Sequence, residues 1–149
     1  MDMPPVPEGS WSLLSSGAGF TIKPRPDSDG RYGRLQAVNL ETGKTVWTHR
    51  QRAPLTTGIL DTAGGVVFAG DMDRGFTAYD DRNGMQLWHT RLNDIPNSTP
   101  LSFRVNGRQY IAITTGHGAP LTVDRTALVP EIRMPTDPGA TVWVFALEN

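Results

Sequence analysis

Leu35-Gln36-Ala37-Val38-Asn39-Leu40-Glu41-Thr42-Gly43-Lys44-Thr45-Val46-Trp47 returns 41 positions later (35 to 76) as Phe76-Thr77-Ala78-Tyr79-Asp80-Asp81-Arg82-Asn83-Gly84-Met85-Gln86-Leu87-Trp88. The alanine, the Asn or Asp two residues on, the glycine and the tryptophan coincide. Each shared position has a physical use. Small Ala37 or Ala78 lets a strand pack closely. Asn39 or Asp80 can accept backbone hydrogens where the turn begins, and Gly43 or Gly84 supplies the turn's positive φ. Trp47 or Trp88 then fills the gap between neighbouring sheets with a flat ring whose N–H needs a partner. A lone hairpin with a core tryptophan accounts for one copy but not for two in register. Val144-Phe145-Ala146-Leu147-Glu148 reads as the opening of a third copy.

The chain around these units is strand-like. Thr45 to His49, Val66 to Ala69, Gln86 to Thr90, Leu101 to Val105 and Tyr110 to Thr114 are short β-prone runs bounded by turn residues. Asn106-Gly107 between two such runs is a hairpin signal, because both residues tolerate positive φ. No window carries an amphipathic helix of useful length. Glycine (16) and proline (12) in 149 residues punctuate the chain more often than a helical protein tolerates. The fold class is therefore all-β. A period near 40 residues, at four short strands per unit, suits blades of a β-propeller. The reading is a partial propeller over residues 33–149, about two four-stranded blades and a closing strand at 141–147. An irregular segment over 1–32 precedes it.

Composition excludes several functions. A net charge of −1 with 19% charged residues offers no basic face for nucleic acid. There is no apolar run long enough to span a membrane and no visible secretory signal at Met1-Asp2-Met3-Pro4-Pro5. Zero cysteines exclude disulfides, thiolate metal sites and cysteine nucleophiles. No phosphate loop, dinucleotide fingerprint or Gly-x-Ser-x-Gly is present. His49 and His89 follow the two repeat tryptophans at different distances and form no zinc-like grouping. Asp71-Met72-Asp73-Arg74-Gly75 has a superficial calcium-loop look, but no glutamate follows at the twelfth position, and an ordinary strand-connecting turn explains it better. Thr122 to Gly139, with Pro130, Pro135 and Pro138, reads as a long insertion before the last strand.

At these residues the chain resembles the PQQ-dependent (quinoprotein) alcohol and glucose dehydrogenases, which are eight-bladed propellers. Ala-x-Asn/Asp-x-x-Thr-Gly-x-x-x-Trp resembles their tryptophan-docking motif. Leu60-Asp61-Thr62-Ala63-Gly64-Gly65-Val66-Val67-Phe68-Ala69-Gly70 is similar to a family signature, and Asn106 to Ala112 to a late Gly-x-Gln-Tyr-x-Ala segment. Gly116-His117-Gly118 resembles a Gly-His-Gly near the end of the membrane-type glucose dehydrogenases. The order of these motifs implies the C-terminal end of such a propeller, with the further blades supplied by a longer protein or by another chain.

The resemblance implies that Gly116, His117 and Gly118 contact PQQ, His117 by a hydrogen bond and the glycine amides beside it. Thr56 and Thr57 stand in Pro54-Leu55-Thr56-Thr57-Gly58, where many family alcohol dehydrogenases carry Pro-x-Trp-Gly-Gly. Thr56 replaces the cofactor-facing tryptophan and could offer a hydroxyl to a polar ring edge, but a turn-forming role explains it better. The family's Ca²⁺ ligands and catalytic aspartate have no match here. The implied function is part of a quinone-binding face in an enzyme oxidising an alcohol or a sugar, in the periplasm, with the isolated chain inactive. The alternative is a non-enzymatic propeller scaffold resembling the outer-membrane assembly lipoprotein.

Overall fold

The structure, a computed structural model, describes residues 25–116, 128–136 and 139–146. Among these residues all the regular elements are strands, as expected: β1 (Gly33–Val38), β2 (Thr45–Gln51), β3 (Leu60–Thr62), β4 (Val66–Gly70), β5 (Gly75–Asp80), β6 (Gln86–Arg91), β7 (Leu101–Val105), β8 (Arg108–Thr115) and β9 (Thr141–Ala146). They form three antiparallel sheets, β1-β2, β3-β4-β5-β6 and β7-β8-β9. The strand count per sheet differs in detail from two full blades. Only the middle sheet has four strands, and the closing strand is the third member of the last sheet. β3 escaped the strand reading because three residues are too few for a periodic signal. Of the segment read as irregular, residues 1–24 lie outside the described residues, as does Leu147 at the end of the closing strand.

The two repeat copies build the same hairpin. Ala37 pairs with Trp47 and Ala78 with Trp88, and each ladder shifts register immediately after its alanine. The Asn39 amide donates to Lys44 O and the Gly43 amide to Asn39 O; the Asp80 and Gly84 amides make the matching bonds to Met85 O and Asp80 O. Gly43 and Gly84 sit at φ +66° and +72°, the left-handed region that glycine enters without a Cβ penalty. The side chains of Asn39 and Asp80 accept from the Thr42 and Arg82 amides, both at 2.8 Å. Ala146 lies in β9, the third strand of its sheet, as Ala78 lies in β5, the third strand of the middle sheet.

Packing follows from the two-residue period of the strands. In the middle sheet both faces are covered, so β5 is buried almost throughout. Phe68, Phe76 and Ala78 turn one way and meet Ile111, Ile113, Trp143 and Phe145 of the last sheet. Val67, Ala69 and Tyr79 turn the other way and meet Leu35 and Trp47 of the first. Phe76 is fully buried, worth about 1.5–3 kcal/mol against exposure. Between the first two sheets, Trp47 Nε1 donates to the Asp81 carbonyl at 2.7 Å. Its ring lies so close to Gly84 that a Cβ there would sit 2.6 Å from Trp47 Cε3. Trp88, by contrast, is 40% exposed and meets the edge of Phe145 at 5.2 Å between ring centroids.

Antiparallel order sorts the connections by end. The turns β1–β2, β3–β4, β5–β6 and β7–β8 lie at one end of the sheets and are tight. The links β2–β3, β4–β5, β6–β7 and β8–β9 lie at the other, and three of them are long. A third apolar cluster, Ala53, Met72, Ile95 and Val129 with Leu128, Ile132 and Met134, seals that end.

Candidate functional site

The long-connection end gathers the residues singled out from the sequence. Thr56 is held on both sides: its amide donates to Gly70 O at 3.0 Å, and its hydroxyl donates to Pro96 O at 2.7 Å. Thr57 Oγ1 accepts the Gly70 amide at 2.8 Å. Gly70 ends β4, and its Cα faces Pro96 and the Thr57 methyl so closely that an added Cβ would come within 2.6 and 2.7 Å of them. Glycine is required there for the three segments to meet. Pro96 also forms an isolated bridge with Thr115.

Gly116 joins the same strip from the other side. Its amide donates to Ile95 O at 2.9 Å, and its carbonyl accepts from Asn97 Nδ2 at 2.6 Å. Thr56 and Gly116 therefore both hang from Ile95-Pro96-Asn97. The Gly116 amide is spent inside the fold, which leaves this residue a conformational role at φ +155° rather than a donor role. His117 and Gly118 lie outside the described residues. The Thr57 hydroxyl uses a lone pair on Gly70 and retains its proton for another acceptor.

The strip 95–97 carries no motif, so sequence reading passed over it. Its role arises from contacts 19 to 40 residues away in the chain. Asp94, fully buried, is a second residue without a local signal. Its carboxylate accepts from the Ile95 amide at 2.7 Å and the Gly139 amide at 3.3 Å, tying the end of the insertion to this rim.

Asp71 to Gly75 forms the β4–β5 turn. Asp71 Oδ1 accepts from the amides of Asp73 and Gly75 at 2.8 and 3.0 Å, and Asp73 pairs with Arg91 at 2.7 Å. The turn reading of this segment accounts for both carboxylates. Among the described residues no group of three or more His, Asp or Glu side chains could hold a metal ion. His49 and His89 make different contacts: His49 packs its ring on Tyr79 at 4.8 Å, and His89 Nδ1 hydrogen-bonds Thr77 Oγ1 at 2.9 Å. Burial pushes the Tyr79 phenol above its ordinary pKa. At the outer edge Arg52 clasps Glu131 at 2.5 and 3.1 Å. Hydrogen bonding to Arg52 holds the Glu131 carboxyl below the usual carboxylate range.

Comparison with known proteins agrees with this architecture. Residues 20–111 match the family model described as the PQQ glucose/ethanol/alcohol dehydrogenase β-propeller domain. The quinoprotein alcohol dehydrogenase PedE of Pseudomonas putida is 35% identical over 133 residues, 89% of this chain and 21% of that protein. A quinoprotein ethanol dehydrogenase of Pseudomonas aeruginosa is 34% identical over a similar span, again 89% and 21%. The chain thus spans about a fifth of the length of these relatives. The solved structure of a europium-containing methanol dehydrogenase superposes with a TM-score of 0.65 at 28% identity, covering 80% of this chain and 24% of that one. With the repeat, the sheet order and a match over more than half its length in agreement, the chain belongs to the family of PQQ-type glucose/ethanol/alcohol dehydrogenase β-propellers.

Proposed function

We propose that this chain supplies part of the quinone-binding face of a PQQ-dependent dehydrogenase that oxidises an alcohol or a sugar. The observation that carries the reading is the convergence of Thr56, Thr57 and Gly116 on one strip, Ile95 to Asn97, at the end where the long connections lie. The donor chemistry fits the cofactor in kind. PQQ offers carbonyl and carboxylate acceptors, and the Thr57 hydroxyl has an unspent proton at this rim. His117 and Gly118 continue directly from Gly116 and complete the proposed contact.

When bound, the quinone accepts the electrons removed from the substrate carbon. The chain's own share is orientation: Thr57 donates a hydrogen bond, and the Pro96 and Gly70 contacts fix the loop that carries it. In this reading Ca²⁺ and the catalytic base come from other blades. The proposed compartment is the periplasm, and the repeat tryptophans serve as docking rings between blades.

Titration of PQQ into the purified chain, followed by tryptophan fluorescence and quinone absorbance, tests the reading. Saturable binding weakened by Thr57→Val is expected, without dye reduction by the chain alone. Simple additive spectra would refute the cradle, and PQQ-dependent dye reduction would refute the division of labour. The exposed apolar side chains of β7 (Leu101, Phe103, Val105) and β9 (Val142, Val144) favour a neighbouring sheet. A non-enzymatic scaffold would use the same surface, and it would show no PQQ response.

A further inference from the structure

We propose that the cleft between the first and second sheets binds a small oxyanion, a carboxylate or a phosphate, through Arg74 and Arg133. The cleft has a volume of about 620 Å³ and is walled by β2, β5, β6, the Asp71–Gly75 turn and the Glu131–Arg133 segment. None of Thr56, Thr57 and Gly116 lines it, so it is separate from the proposed quinone face, and the two readings fail independently.

Its wall holds four arginines against three carboxylates, and the carboxylates are already engaged. Glu131 is clasped by Arg52, and Asp73 by Arg91. Asp71 gives one oxygen to the turn amides and the other to Gln51 Nε2 at 2.9 Å. Arg74 and Arg133 have no ion pair among the described residues. The Arg74 Nε is buried and makes no hydrogen bond. A guanidinium N–H shut away from water without an acceptor is unfavourable, and a rotation of the side chain that brings it onto a ligand oxygen in the cleft relieves it.

Backbone geometry sharpens the point. Arg74 occupies the left-handed position of the turn at φ +67°, where glycine is the easy residue. The sequence instead places there a planar fork suited to two oxygens of a carboxylate or phosphate.

That strain also makes the test clean. Arg74→Gly suits the turn, so the fold is retained while the fork is removed. Isothermal titration of the full chain at low ionic strength, with inorganic phosphate and with succinate as probes, should show saturable binding of at least one. Saturation by phosphate alone or by succinate alone identifies the class. Arg74→Gly should weaken binding about tenfold or more, and Arg133→Gln several-fold, as loss of charged hydrogen bonds implies. Arg82→Gln, in the exposed β5–β6 turn at the opposite end, should leave it unchanged. Absence of saturation by either anion below about 20 mM, well above a millimolar-class site, overturns the proposal. So does equal binding by the wild type and both cleft variants, or equal loss in Arg82→Gln.

Discussion

Gly84→Ala tests how the wedges of this fold are joined. An alanine Cβ at 84 would stand 2.6, 2.8 and 3.0 Å from Trp47 Cε3, Cδ2 and Cζ3, where ordinary carbon contacts are about 3.5–4.0 Å. The indole must retreat by roughly 1 Å, and that movement strains the 2.7 Å bond from its Nε1 to Asp81 O. Three costs combine: about 1–2 kcal/mol for a left-handed alanine, about 1–3 for overpacking and about 1 for the hydrogen bond. The total, about 3–6 kcal/mol, is a large share of a typical domain's stability. The repeat supplies its own control. Gly43 has nearly the same φ, +66°, but an added Cβ there meets nothing within 4 Å. Gly43→Ala should therefore cost only the backbone component, about 1–2 kcal/mol. Urea unfolding of both variants, read by tryptophan emission, gives the difference directly. If Gly84→Ala costs no more than Gly43→Ala, the reasoning about the indole contact is wrong.

Trp47→Phe should cost about 1–2 kcal/mol more than Trp88→Phe, because only Trp47 donates to a partner sheet's carbonyl; paired urea titrations decide it. Thr57→Val strands the Gly70 amide and should lower stability by about 1 kcal/mol, whereas Thr57→Ser should restore it. Arg50 and Arg25 lower the Asp27 carboxyl pKa, and Arg52 lowers that of Glu131. A depressed folded pKa means stability present above the unfolded value and lost as pH falls through the folded one. Stability should therefore drop on acidification below about pH 4, and less steeply in Glu131→Gln, as measured by melting across pH. Tyr79 has the opposite sign: burial raises its phenol, so its contribution persists below the unfolded pKa of about 10 and fades above it, a loss that Tyr79→Phe should blunt.

What could be read from the chain is what local chemistry dictates. Asn106 and Gly107 do adopt φ +50° and +81°, and Ala, Asn/Asp, Gly and Trp do recur in equivalent hairpins. Those positions are legible because a turn's dihedral demand falls on one or two neighbouring residues. The candidate site was legible only in part. Thr56, Thr57 and Gly116 stand out from their motifs, but the strip that holds them has a meaning only through partners distant in the chain. Val129 and Ile132 were likewise hidden inside a proline-rich insertion, although Val129 is fully buried against Ala53, Met72 and Ile95. Nothing local distinguishes a valine that caps a core from one that faces solvent. Arg74 gave no signal either, since its interest lies in a dihedral and an unused nitrogen rather than in its neighbours.

The bond from the Trp47 indole ends on the main chain of residue 81, not on its side chain. The acceptor side of the seam is therefore blind to amino-acid identity. Whatever side chain projects from that position, the carbonyl is still presented, provided the turn keeps its shape and the glycine its bareness. Neighbouring units can drift apart in surface character, acquiring new rims and new ligands, while the mortar between them stays interchangeable.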